Sequence, residues 1–262
     1  MPIGGFMTDM LPESRSAATV VILRDRPGAA AEILMMERAS SMAFAAGALV
    51  FPGGAVDAGD HALAERIAGG LPVDEAAARI AAVRETLEES GLAIGLASPP
   101  PPDRLPLMRQ ALAAGMAFDD MLDEHGLEIA LDRLVPFARW HPARLEHAQR
   151  VFDTRFYIAR APEGQNASVD ATENVQLFWS SAADTIARCD RGEGRIIFPT
   201  RRNLERLAQF NGFDDLSAHA LSIPVQTVTP WFEEIEGERH LCIPDHLGYP
   251  VTSEPMGTVR RA

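Results

Sequence analysis

Lysine is absent from this chain: all 24 basic residues among its 262 are arginine. A P-loop nucleotide-binding enzyme needs its lysine and a Schiff-base enzyme needs its amine, so both classes are excluded. Cysteine is scarce. Cys189 and Cys242 stand far apart and in no metal-ligand spacing, which argues against a disulfide framework or a zinc ribbon. The seven histidines form no His-Glu-x-x-His pair, and no Gly-x-Ser-x-Gly elbow occurs, removing two common hydrolase designs. No run of about 18 apolar residues is present, so no membrane span is expected. Residues 1–16 lack a basic start followed by an apolar run, so a cytoplasmic protein is expected. Positive charge is also short. A formal charge of −13 speaks against nucleic-acid binding, which relies on a basic surface. An anionic substrate would therefore be drawn in by a bound cation and local arginines, not by the overall field. Hydrophobic residues make up 47% of the chain, enough to fill the core of one large domain. No internal repeat is visible.

The densest chemistry lies in Arg84-Glu85-Thr86-Leu87-Glu88-Glu89-Ser90-Gly91-Leu92. On a helix, Glu85, Glu88 and Glu89 share one face, while Ala76, Ile80, Val83 and Leu87 form an apolar stripe directed at a core. Gly91 suits a left-handed cap. Three close acids repel and tend to hold protons unless a cation sits among them. Mg²⁺ and Mn²⁺ prefer such oxygens and commonly bridge them to phosphates. The same run also reads as a solvated acidic face. Upstream, Ala48 to Phe51 reads as the end of a buried strand, followed by the glycine-rich Pro52-Gly53-Gly54-Ala55-Val56-Asp57-Ala58-Gly59-Asp60. Paired glycines let a backbone approach a phosphate or offer a carbonyl to a metal.

A strand, a glycine loop and a carboxylate helix in this order resemble the Nudix hydrolase signature. Arg84 to Leu92 matches the second half of that signature at every specified position. Gly54 matches its opening glycine, with Asp60 where the family usually has Glu. Between Asp60 and Arg84 lie 23 residues where the family has seven, so His61 to Val73 reads as mostly insertion. The expanded box is similar to that of the peroxisomal coenzyme A diphosphatases and their bacterial relatives. Further likeness to this branch comes from Glu37-Arg38-Ala39-Ser40 leading through Phe44 and Gly47, and from Arg150 to Tyr157. Trp179-Ser180-Ser181 and Phe198-Pro199-Thr200 add to it.

The resemblance implies an α/β/α sandwich with a mixed sheet and an inserted helical segment. It places a Nudix hydrolase domain at 17–211, a helical insertion at about 103–131, and a C-terminal extension, 212–262, packing on the same domain. It implies Mg²⁺ or Mn²⁺ held by Glu85, Glu88, Glu89 and the Gly53 carbonyl, with Glu85 as ligand or general base and Arg84 orienting it. Glu173, or Asp170 in reserve, would be an acid recruited from a loop. Arg38, Gly54, Asp60 and Arg155 are candidates for substrate binding. Asp60 reads equally as a loop cap, and either arginine equally as structural. Trp140, Phe156 and Trp179 read as core. The implied reaction is cleavage of a small-molecule diphosphate, with coenzyme A or its acyl esters as the branch-level expectation. ADP-ribose or NADH would be alternative substrates, and a nucleotide-binding regulator without turnover is a second class. A homodimer is left open.

Strands are expected at Ala18–Arg24, Glu32–Glu37, Leu92–Leu96, Val135–Trp140, Phe152–Ala159 and Val175–Trp179. Val225–Ile235 and His240–Ile243 are expected to form a final hairpin. Helices are expected from about Pro72 through the box, and at Leu105–Ala114, Phe118–His125, Ala182–Cys189 and Thr200–Phe210. Asp25 to Gly28 reads as a turn and Ser98 to Pro102 as a stiff linker.

Overall fold

The computed structural model describes residues 14–39, 47–141, 151–169 and 174–259. Ser14–Arg26 (β1) alternates its apolar side chains between two cores: Ala18, Val20 and Ile22 enter one, Val21 and Leu23 the other. That period of two marks a strand covered on both faces. A tight turn leads into Ala29–Arg38 (β2), which pairs antiparallel with β1 only near the turn. Leu49–Val50 (β3) then pairs with β2 and Gly53–Ala55 (β4) with β1. The outer edges of β1 and β2 are occupied along the same stretches by two further strands, so residues 49–55 must lie between them. The glycine loop is thus wedged into the open end of a forked hairpin.

Two helices follow, Ala58–Ile67 (α1) and Val73–Ser90 (α2). The insertion expected at His61 to Val73 is therefore largely α1, which buries Leu63 and Ala64 against the first core. Helix α2 buries the expected stripe of Ala76, Ile80, Val83 and Leu87 and ends at Gly91, whose φ is 70°. Leu92 to Leu96 is not a strand; it makes one isolated bridge, Leu96 to Ile129. Ser90 Oγ and Gln165 Oε1 take the Leu92 and Ala93 amides, and Gly95 turns left-handed, so no ladder continues. These residues are buried as a packed connection instead.

Leu105–Ala113 (α3) and Phe118–His125 (α4) form the expected helical segment and pack on the same core through Leu105, Met108, Leu112, Phe118, Met121 and Leu122. Val135–Trp140 (β5), Val151–Arg160 (β6) and Asn174–Ser181 (β7) complete most of the sheet. β6 runs parallel to β1, while β5 and β7 pair antiparallel with β6 and β2. The sheet is therefore mixed.

The second face is covered by Ala182–Asp190 (α5), Phe198–Leu207 (α6) and Phe213–Ser222 (α7). Helix α7 lies outside the helices expected from the sequence. Thr227–Val228 (β8) adds to β5 in parallel, separate from the hairpin of Trp231–Ile235 (β9) and Glu238–Cys242 (β10). Ser253–Pro255 (β11) pairs with β10, and Met256–Val259 (α8) ends the described chain. Trp140 and Phe156 are core residues as expected; the Trp140 indole donates to Tyr249 Oη at 3.0 Å. Trp179 is partly buried under the Arg24 guanidinium. Arg202 and Arg206 are almost wholly buried on α6. Arg202 pairs with Glu254 at 2.9 Å, and Arg206 donates to the Phe137 carbonyl at 2.8 Å. The result is an α/β/α sandwich with an inserted helical segment.

Candidate active site

The wedge geometry sets the glycine loop directly against α2. A Cβ built on Gly54 would sit 2.3 Å from the Glu85 carboxyl, and one on Gly53 2.2 Å from the Ala18 carbonyl oxygen. Only glycine allows both approaches. The Gly53 amide donates to Glu89 Oε2 at 2.8 Å.

Arg84 organises the acids from below. Its Nε and Nη2 donate to the two carboxylate oxygens of Asp60 at 3.0 and 2.9 Å, the paired geometry that gives arginine its strongest contacts. Nη1 donates to Glu85 at 2.9 Å and Glu88 at 3.3 Å, and Nη2 also reaches the Ala55 carbonyl at 3.1 Å. Burial works to lower the Arg84 pKa, but the Asp60 bond and the charges of Glu85, Asp60 and Glu88 prevail and raise it. Asp60 itself is only 2% exposed. It accepts the Asp57 amide in the capping box of α1 as well as gripping Arg84. Asp60 thus caps α1 and holds Arg84, and it is not among the cleft-lining residues.

Burial, reinforced by Glu88 and Asp60 and opposed by Arg84, pushes the Glu85 carboxyl up to about 7. Burial also raises Glu88, against the pull of Arg84. Charged oxygens packed this closely are what a hard divalent cation offsets. Among the described residues no three acidic, histidine or cysteine side chains already converge as a metal cage. Arg84 draws Glu85 and Glu88 toward itself, and Gly53 engages Glu89. The donor set of carboxylates beside an unobstructed backbone loop still fits Mg²⁺ or Mn²⁺ by its chemistry.

The three glutamates line one side of a cleft of about 640 Å³. Its other walls come from α3, through Leu105, Pro106, Arg109 and Ala113, and from the loop at Gly164, Asn166 and Ser168. Arg109, Asn166 and Ser168 are not among the site residues expected from the sequence. Arg109 lies in the helical insertion and Asn166 and Ser168 in the loop between β6 and β7, and neither place indicates which way a side chain turns.

The structure brings together Arg84, Glu85, Glu88, Glu89, Gly53, Gly54 and Asp60. Arg155 stands apart: it pairs with Glu75 at 3.3 Å and donates to Ser16 Oγ at 3.1 Å. Glu75 lies ten residues before Glu85, roughly 15 Å along the helix. Arg38, at the end of β2, is not among the cleft-lining residues; its Nε is buried without a partner among the described residues. Glu173, Asp170, Ser40, Phe44 and Arg150 lie outside the described residues.

No family model and no curated protein matches the chain. Solved structures do. A NUDIX hydrolase from Alicyclobacillus acidocaldarius is 27% identical, with 80% of this chain and 97% of that one covered at a TM-score of 0.67. The mMutator MutT protein of Bacillus halodurans is 10% identical, covering 82% and 88% at 0.43. The NUDIX domain of Shewanella oneidensis NrtR, complexed with ADP ribose, is 13% identical, covering 78% and 94% at 0.41. The first superposes closely and the other two only loosely. No helix among the described residues is long and apolar enough to cross a membrane. The chain has the Nudix hydrolase fold, and its likeness to the Alicyclobacillus enzyme supports a Nudix pyrophosphohydrolase.

Proposed function

We propose that the chain is a divalent-metal-dependent hydrolase that cleaves the diphosphate linkage of a nucleotide-like small molecule. One observation carries this reading: Glu85, Glu88 and Glu89 line a cleft of about 640 Å³ while Gly53 and Gly54 pack against them. That volume lies in the range of small-molecule sites. Mg²⁺ or Mn²⁺ would be held by Glu85, Glu88 and Glu89, with the Gly53 carbonyl and Glu173 as further ligands. Bound there, the ion supplies an acidified water and neutralises phosphoryl charge.

The chain's own residues do the rest. Arg84, fixed by Asp60, holds Glu85 in place, and Glu85 receives the proton of the attacking water or joins the ligand set. Burial makes Glu85 a stronger base than an exposed carboxyl, and a cation bound beside it would draw its pKa back down. Leu105, Pro106, Leu112 and Ala113 of α3 give one wall of the cleft an apolar lining.

Coenzyme A or an acyl-coenzyme A is the substrate the expanded box favours. All four box residues from Arg84 to Glu89 that carry charge are present, which favours turnover over a binding-only regulator. The test is to incubate purified protein and Mg²⁺ or Mn²⁺ with coenzyme A, ADP-ribose, NADH and dinucleoside polyphosphates. Cleavage between the two phosphates of coenzyme A supports the full reading. Cleavage of ADP-ribose alone moves the substrate, and no cleavage of any compound refutes the enzyme.

A further inference from the structure

Helix α2 ends at Ser90, so the carbonyls of Leu87, Glu88, Glu89 and Ser90 have no partner within the helix. All four are satisfied from elsewhere. Gly91 N donates to Leu87 O at 2.9 Å, and Ser168 N to Ser90 O at 2.8 Å. The middle two belong to one side chain: Arg109 Nε donates to Glu88 O at 2.6 Å and Nη2 to Glu89 O at 2.8 Å. Its remaining nitrogen, Nη1, reaches Ser168 Oγ and O at 3.0 Å and Val169 O at 3.1 Å. One guanidinium therefore joins the inserted helix α3, the end of the acid helix and the loop preceding β7.

We infer that Arg109 is a positioning residue for the acid cluster, and that this makes the helical insertion a working part of the site. This rests on the reading of Glu85, Glu88 and Glu89 as metal-holding residues. The two carbonyls that Arg109 takes belong to the residues whose carboxylates face the cleft. Releasing them would loosen the helical turn that sets the spacing of Glu85, Glu88 and Glu89. A guanidinium at this end also offsets the partial negative charge of the helix terminus, beside three acids. Its three nitrogens are all engaged by protein oxygens, so Arg109 acts through the helix and does not hold substrate phosphate. Lysine cannot replace it, because a single ammonium cannot span both carbonyls and Ser168. Partners that orient metal-holding side chains typically matter by 10–100-fold in affinity or activity.

The test compares full-length parent, Arg109→Gln and Arg109→Lys. Mn²⁺ affinity is measured by calorimetry, hydrogen exchange is followed at the amides of residues 88–91, and kinetics are run at saturating metal. Both variants should bind Mn²⁺ about 10–100-fold more weakly and exchange faster in the last turn of α2, with KM for the substrate unchanged. Should Arg109→Gln fail to fold, Arg109→Lys carries the same comparison. Parental Mn²⁺ affinity in the lysine variant would overturn the inference, since charge alone would then suffice. So would a raised KM with unchanged metal affinity, which would make Arg109 a substrate contact. A parent that binds no Mn²⁺ refutes the metal reading, and the exchange rates still decide whether Arg109 holds the turn.

Discussion

Gly54→Ala is the most discriminating single substitution because it touches the site through one atom. The added Cβ would lie 2.3 Å from Glu85 Cδ and Oε1 and 2.6 Å from Oε2, where ordinary contact begins near 3.4 Å. The Glu85 carboxyl must retreat by about 1 Å, and misplacement on that scale costs about 100-fold in rate. The fold should barely respond. Gly54 has no positive φ, and the atoms it meets are the far end of a side chain that can shift. The expected outcome is a turnover number about 100-fold lower, with a melting temperature close to parental. Initial rates of diphosphate cleavage with Mg²⁺, set beside thermal unfolding by circular dichroism, read both quantities. The neighbouring Gly53→Ala supplies the contrast. Its φ is 153° and its Cβ would meet the Ala18 backbone at 2.2 Å, so it should destabilise the fold by about 1–3 kcal/mol or more. Parental turnover in Gly54→Ala, or activity lost only in step with unfolding, would refute the geometry assigned to Glu85.

Glu85→Gln should lower the turnover number by about 10²–10⁴-fold, the usual cost of losing a general base, with little change in fold. Glu65→Gln, on the exposed side of α1, should leave turnover at the parental level in the same assay. Asp60→Ala removes both oxygens that grip Arg84 and leaves an arginine only 9% exposed short of its main partner. Breaking such a buried pair costs about 3–5 kcal/mol, so urea denaturation should show a loss of that order. An unchanged unfolding midpoint would show that Glu85 and Glu88 suffice to hold Arg84.

The acid helix was legible in the sequence because two periodicities coincide on it: an apolar stripe from Ala76 to Leu87 and carboxylates at i, i+3 and i+4. The flanking hairpin was legible because two β-prone apolar runs, Ala18 to Arg24 and Glu32 to Glu37, stand on either side of the turn residues Asp25 to Gly28. Leu92 to Leu96 misled because its apolar content reflects burial, and burial does not require a ladder when Ser90 and Gln165 satisfy its amides. Helix α1 was missed because it fell inside what the signature treats as extra residues. The pairing of Asp60 with Arg84 spans 24 positions and depends on how α1 packs against α2, which no local pattern encodes. Arg109 is one of four arginines between Pro101 and Trp140. Nothing in its neighbours shows that it turns toward the last turn of α2.

The most direct test of the central claim is diphosphate cleavage by the purified protein before chelation, in chelator, and after Mg²⁺ or Mn²⁺ is restored, with Glu85→Gln run in parallel. The account predicts activity that vanishes in chelator, returns with either ion, and returns to no more than about 1% of the parental rate in Glu85→Gln. Undiminished cleavage in chelator, or a fully active Glu85→Gln, would contradict it.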